Sequence, residues 1–435
     1  MMIDLANLKI KLTQEERDLL HGSQGPTMQK VMETVALYGE ALDAERLVDI
    51  EGPGHFVIPW SSPGIAPPIE LLEELAAAGL KTKFPFTLDP KPPLDFDNLL
   101  VQPDEKAAIE SMYRDQSHYD ELMIQLGLRD QDAYTCNPYQ FEVGNIPKRD
   151  QILAWSESAC VVYANSVLGA RTNRNGAIMD ILTNILGKAP YAGLLTDEGR
   201  KATWLVEVRT ESLPLPQLLG AAIGLRVLED VPYIVGLDRY LNPELDFETT
   251  DFLQEMCTAC AAYGAVGLYH VENITPEAVD FGRDLLTPGF QTYVIDGHEL
   301  QNLLASFPSS WVDKNARPER CYIGCPHLSL RQLYWWADAI RAALGAHTKN
   351  RLEIDTVFCA APKVLEKFKE NEAAYSKMKA AGAKFSPACS ETIFETRLCS
   401  GRPILTNSTK LRSYTTARFL PDEALVKALV TGEVH

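Results

Sequence analysis

Three cysteines stand where the chain is predicted to leave a strand and enter a loop. They are Cys136 in Tyr134-Thr135-Cys136-Asn137-Pro138-Tyr139, Cys325 in Tyr322-Ile323-Gly324-Cys325-Pro326-His327, and Cys389 in Phe385-Ser386-Pro387-Ala388-Cys389. Ligands of open α/β sheets gather at such strand ends, so thiolates from separate strands can converge on one metal. Proline shortly after Cys136 and Cys325 removes an amide donor and stiffens the turn. Against this, the spacing matches no local iron–sulfur motif, and a buried, inert thiol is the commoner fate of cysteine. Residue types alone leave both readings open. Cys359, ending Val357-Phe358-Cys359, is a weaker candidate. Cys257 and Cys260 form a C-x-x-C within a helical stretch beside Ala261 and Ala262. A redox pair sits at a helix start after a strand, so this pair is predicted to pack the core.

The densest polar segment follows Cys136. Trp155-Ser156-Glu157-Ser158 leads into an apolar stretch, Ala159 to Leu168, interrupted by Asn165 and Ser166, and Gly169 suits a helix C-terminus before Arg171-Thr172-Asn173-Arg174. Glu157, Ser158 and Asn165 could line a polar pocket, with Arg171 and Arg174 clamping a carboxylate or phosphate. Equally, a serine N-cap, a solvated glutamate and arginines at a helix C-terminus account for the same residues. Thr406-Asn407-Ser408-Thr409-Lys410 follows the strand-like Pro403-Ile404-Leu405 and reads either as an anion-binding loop or as a plain turn. His55 and His327 are possible acid–base groups, although a lone histidine is more often structural.

The elements that must position these residues alternate. A capping box at Thr13-Gln14-Glu15-Glu16 opens a first helix. Met28, Val31, Val35 and Tyr38 mark a second. Then come a strand at Leu47–Ile50, a helix from Pro68 to Ala78 and a strand from Leu80 to Phe86. A Pro-rich stretch from Pro85 to Pro93 breaks regular structure. Beyond it, strands at Trp204–Val208, Tyr233–Val235 and Ala265–Val271 alternate with helices such as Ser329 to Leu344. This order predicts an α/β class with mostly parallel sheets. Over 435 residues, 41 Lys and Arg against 59 Asp and Glu give a net charge of −18, which argues against nucleic-acid and membrane-surface partners. No apolar run reaches a membrane span. Nine cysteines without framework spacing predict reduced thiols in a cytoplasmic protein.

The runs T-C-N-P-Y from Thr135, W-S-E-S from Trp155, A-N-S-V-L-G-A-R-T-N-R from Ala164, G-C-P-H from Gly324 and T-N-S-x-K from Thr406 resemble the catalytic large subunit of the aconitase X family, in the family's order. The resemblance runs over nearly the whole chain, from Leu12 to Tyr414. It implies an aconitase-like fold of several packed α/β subdomains filling 1–435, within which the Pro-rich stretch marks a possible edge near 85–103. It also implies a hydro-lyase whose iron is held by Cys136, Cys325 and Cys389, as mononuclear iron, [2Fe–2S] or [4Fe–4S]. Three thiolates leave iron an open position from which it acts as a Lewis acid on a departing hydroxyl.

Within the resembling segments, Glu157, Ser158, Asn165 and Lys410 are expected to carry catalysis. His55, Thr135, Ser166, Arg171, Asn173, Arg174, Asn407 and Ser408 are expected to hold substrate. The family's small swivelling domain, which brings a catalytic Ser, is not recognisable after Lys410, so a separate small subunit is the expected partner. The substrate expected is a small hydroxy-carboxylate. Pro138-Tyr139-Gln140 and Pro190-Tyr191-Ala192-Gly193-Leu194 resemble the cis-3-hydroxy-L-proline branch of the family. Asn173 and Val143-Gly144-Asn145-Ile146-Pro147 resemble the (R)-5-phosphomevalonate branch. One departure is Phe56-Val57-Ile58-Pro59-Trp60, bulky and apolar where the family has a glycine-containing turn. The rival reading is a non-catalytic iron-binding scaffold subunit.

Overall fold

Short apolar runs build most of two parallel sheets, whose inner strands the intervening helices cover, while the edge strand Leu286–Ile295 stays largely exposed. The structure, a computed structural model, describes residues 8–57, 66–307, 311, 313, 315–392 and 402–434. One sheet has the neighbour order His270–Val271, Pro232–Val235, Ala202–Val208, Leu286–Ile295, every pair parallel. The other runs Lys384–Ser386, Asp355–Cys359, Arg320–Ile323, Ile404–Thr406, Arg418–Phe419, again all parallel. Parallel ladders need crossover helices and burial of both faces. That explains why Arg320–Ile323 is buried at every position, Arg320 included. The expected mixed α/β class with mostly parallel sheets is what the chain forms.

Helix Pro216–Val227 lies against helix Phe247–Tyr263 with almost no space between backbones. A Cβ at Gly220 would stand 2.5 Å from the Met256 carbonyl oxygen, and one at Gly224 2.9 Å from that of Cys260. The glycines permit the approach, and the approach buries Cys257 and Cys260 completely. As expected, the C-x-x-C is core. Asp246 caps the second helix of this pair by accepting from the Thr249 amide. Helix Leu330–Ala346 carries its own capping box, Ser329 with Gln332, and buries Leu333, Trp336, Ile340 and Leu344 against the five-stranded sheet.

The first 190 residues have little sheet. Helix Gln14–Leu20 opens with the expected box, Thr13 with Glu16. Leu47–Asp49 pairs antiparallel with Lys188–Pro190, and His55–Phe56 pairs in parallel with Thr87–Leu88. The run Leu80 to Phe86 is not a strand. Its amides are spent singly, Thr82 on the Leu126 carbonyl, Lys83 on that of Asn184 and Phe86 on that of Gly127. Ala265–Val271 likewise shrinks to His270–Val271, since the Tyr269 amide goes to the Ser166 hydroxyl. The Pro-rich stretch links distant parts of the chain: Lys91 bridges Ala388, and its carbonyl accepts from the Cys389 amide at 3.0 Å.

Candidate active site

Segments far apart in the chain enclose a cavity of about 480 Å³. Its wall includes Glu157, Ser158, Arg174, Lys410 and Cys389 from the sequence-predicted set, joined by Asp89, Ser156 and Glu391. Glu157 is the N-cap of helix Ser158–Ser166, accepting from the Cys160 amide at 2.6 Å. From the opposite side Lys410, in the first turn of helix Thr409–Tyr414, reaches the same carboxylate at 3.2 Å. Burial pushes the Glu157 carboxyl upward, but the Lys410 ammonium, the Cys160 amide and His55 together outweigh it and lower its pKa to about 2. Burial also opposes the Lys410 charge, yet Glu157, Glu391 and Cys325 hold its pKa well above the ordinary lysine value. The pair is therefore charged at neutral pH.

Arg174 is exposed at the rim, and among the described residues no carboxylate is paired with it. His55 is fully buried, with Nδ1 2.9 Å from the Thr87 hydroxyl and Nε2 3.8 Å from Asp89. Burial lowers its pKa to about 4, against the pull of Glu157, so it stands neutral behind the cavity. Val57 lines the wall, while Ile58, Pro59 and Trp60 of the bulky departure lie outside the described residues.

Around Cys136, Cys325 and Cys389 the organising residue is His327. Its amide donates to Cys136 Sγ at 3.1 Å, its Nδ1 lies 3.4 Å from the Thr135 hydroxyl, and its Nε2 lies 3.5 Å from the carbonyl of Ala388, beside Cys389. Asn137 adds a hydrogen bond to the His327 carbonyl. One histidine, two positions after Cys325, thus ties all three cysteine loops. Its buried ring, lowered to about 4 by desolvation, is a brace. Gly324 sets the turn into Cys325 at φ +109°, where a Cβ would meet the Cys359 carbonyl oxygen at 2.2 Å.

All three cysteines are half-buried, and burial of the thiol is the first cause of the upward shift at each. Cys325 is pushed up to about 11, with the Lys410 ammonium and then the Ser408 hydroxyl working the other way. The charge of Cys325 also raises both Cys136 and Cys389. In donor type, mutual influence and hydrogen bonds to sulfur, these residues fit an iron centre. Among the described residues, no three His, Cys, Asp or Glu side chains stand at distances that would already hold an ion.

Other predicted residues go elsewhere. Asn165 donates to the carbonyls of Thr172 and Gly267 and accepts from the Thr172 amide and Arg200. Ser166 accepts from the Tyr269 amide. Arg171 pairs with Asp197 at 2.6 Å, and Asn173 bridges the Ala192 carbonyl and the Leu194 amide. These four brace the loops behind the cavity, and none lines it. Ser408 caps helix Thr409–Tyr414, and Asn407 faces a second cavity. Sequence reasoning missed Asp89, whose flanking prolines read as a boundary, and Glu391, two residues past Cys389.

Family and structural matches make this chain an aconitase X-type dehydratase. The aconitase X first domain matches residues 9–198 and its second domain matches residues 202–305; the chain belongs to this family. The phosphomevalonate dehydratase large subunit of Thermococcus kodakarensis is 34% identical over 332 residues, 76% of this chain and 77% of that protein. The cis-3-hydroxy-L-proline dehydratase of Hypocrea jecorina is 33% identical over 213 residues, 46% of this chain and 33% of that protein. The crystal structure of Thermococcus kodakaraensis aconitase X in its holo-form superposes with a TM-score of 0.80 at 30% identity, covering 97% of this chain and 100% of that one. Among the described residues, no helix is long and apolar enough to cross a membrane.

Proposed function

We propose that the chain is the large subunit of an iron-dependent dehydratase that removes water from cis-3-hydroxy-L-proline. The observation that carries this reading is the mixed charge of the first cavity: Arg174 and Lys410 share its wall with Asp89, Glu157 and Glu391. A zwitterionic amino acid matches both signs. Arg174 takes the substrate carboxylate bidentately, while the wall carboxylates face the ring ammonium. The Glu157–Lys410 pair provides a fixed charge beside the carbon that loses its proton. That proton leaves, the C–O bond of the hydroxyl breaks, and an enamine and one water result. Cys136, Cys325 and Cys389 would hold the iron, which supplies Lewis acidity toward the departing hydroxyl. A separate small subunit brings the remaining catalytic Ser, in keeping with relatives that are named large subunits.

A second reading, dehydration of (R)-5-phosphomevalonate, is favoured by the longer matches to relatives of that name. The assembled enzyme separates the two. With both compounds offered at equal concentration, mass spectrometry should show loss of one water from hydroxyproline at the higher kcat/KM. Preference for the phosphorylated acid would install the second reading, and loss of water from neither would remove both.

A further inference from the structure

A second cavity, of about 830 Å³, opens between helix Phe247–Tyr263, the start of helix Leu330–Ala346 and the start of helix Asp422–Thr431. Six carboxylate side chains line it against one cation, Arg331. That cation is already engaged, 2.7 Å from Asp251 and 3.8 Å from Glu248. Glu255 accepts from two neutral amides, Gln332 at 2.7 Å and Gln217 at 3.4 Å. Asp422 receives the amide of Asn407 at 3.0 Å. Asn407 is 7% exposed, and its carbonyl oxygen Oδ1 is left without a hydrogen-bond donor. Beside these two carboxylates, Asn407 Oδ1 is thus a buried acceptor left unpaired, a costly arrangement unless something supplies a donor.

We propose that this second cavity is a binding site for an organic cation, an ammonium or guanidinium group on an apolar stem. The charge selects a cation, and the unpartnered Asn407 oxygen selects one bearing N–H donors. Trp335, 41% exposed, lines the same wall and offers an aromatic face for the stem or the cation itself. A bare divalent ion is disfavoured, because among the described residues no three acidic, His or Cys side chains stand in ion-holding geometry. The Glu255 carboxyl is raised to about 8 by burial and by Asp422, so a bound cation would also relieve that repulsion.

The test titrates the full chain with agmatine, N-acetyl-arginine amide and neutral N-butylurea, reading tryptophan fluorescence and heat. Saturable binding of at least one guanidinium probe at about millimolar or tighter affinity, with none by the urea, is expected. Agmatine binding more tightly would point to a free amine, and the capped arginine binding as tightly would point to a side chain borne by a partner protein. Glu255→Gln and Asp422→Asn should each weaken binding about tenfold, with circular dichroism unchanged. If either variant fails to fold, Trp335→Leu serves in its place and should cost several-fold. Absence of saturable binding, equal binding of the urea, or full binding by the carboxylate variants would overturn the proposal.

Discussion

The two cavities each carry a glutamate in the wall, with opposite outcomes. Glu157 in the first is lowered to about 2, whereas Glu255 in the second is raised to about 8. Burial pushes both upward. What separates them is the neighbour: Lys410 stands 3.2 Å from Glu157, while Glu255 meets neutral amides and the charge of Asp422. The first site is built to stay ionised and dipolar, and in the second Glu255 holds a proton near neutral pH until a cation takes its place. Glu255 and Asn407 of the second also border a gap of about 10 Å³ that Cys325 lines. Charge partners set the chemistry of each wall more than depth does.

Removing the cation should break the contrast most severely. Lys410→Met leaves Glu157 buried and unpaired, a change that costs about 3–5 kcal/mol in comparable pairs. Activity of the assembled enzyme should fall about 100-fold or more. Glu157→Gln added to it should restore part of the thermal midpoint and none of the activity, and a double variant no more stable than the single one would show that the pair is not coupled. Next in size is Arg174→Gln, expected to raise KM about tenfold with little change in kcat. A fall in kcat alone would place Arg174 outside carboxylate binding.

The smallest effect concerns Glu255. Its folded value of about 8 lies above the ordinary 4.5, so between those pH values the unfolded chain has released a proton that the folded chain keeps. Stability from this group is complete below pH 4.5 and is lost as pH rises toward 8. Glu255→Gln should therefore flatten the decline of the thermal midpoint between pH 5 and pH 8. An unchanged slope would mean that Glu255 is ionised in the folded state.

Much of this architecture could be read from local pattern. Thr13 with Glu16, the buried face of Leu333, Trp336 and Ile340, and the strands leading to Cys325 and Cys389 follow from periodicity and capping within a few residues. Leu80 to Phe86 misled because apolar content marks burial but does not say where the amides go. The site was legible in its residue types and hidden in its pairings. Glu157 and Lys410 are 253 residues apart, and no local rule joins them. Asn165 and Arg171 bond to backbone carbonyls and to Asp197, partners that residue type alone does not reveal. The second cavity draws on helices whose approach is set by Gly220 and Gly224, a tertiary fact without a sequence motif.

The central claim is that Cys136, Cys325 and Cys389 hold iron and that this iron serves dehydration. Its most direct test is iron and acid-labile sulfide per chain after anaerobic purification with the small subunit, for the wild type and for Cys325→Ala, alongside the rate of water loss. The wild type should carry iron and turn over substrate, and the variant should lose both while keeping its circular dichroism. Full iron in Cys325→Ala, or turnover by an iron-free wild type, would contradict the account.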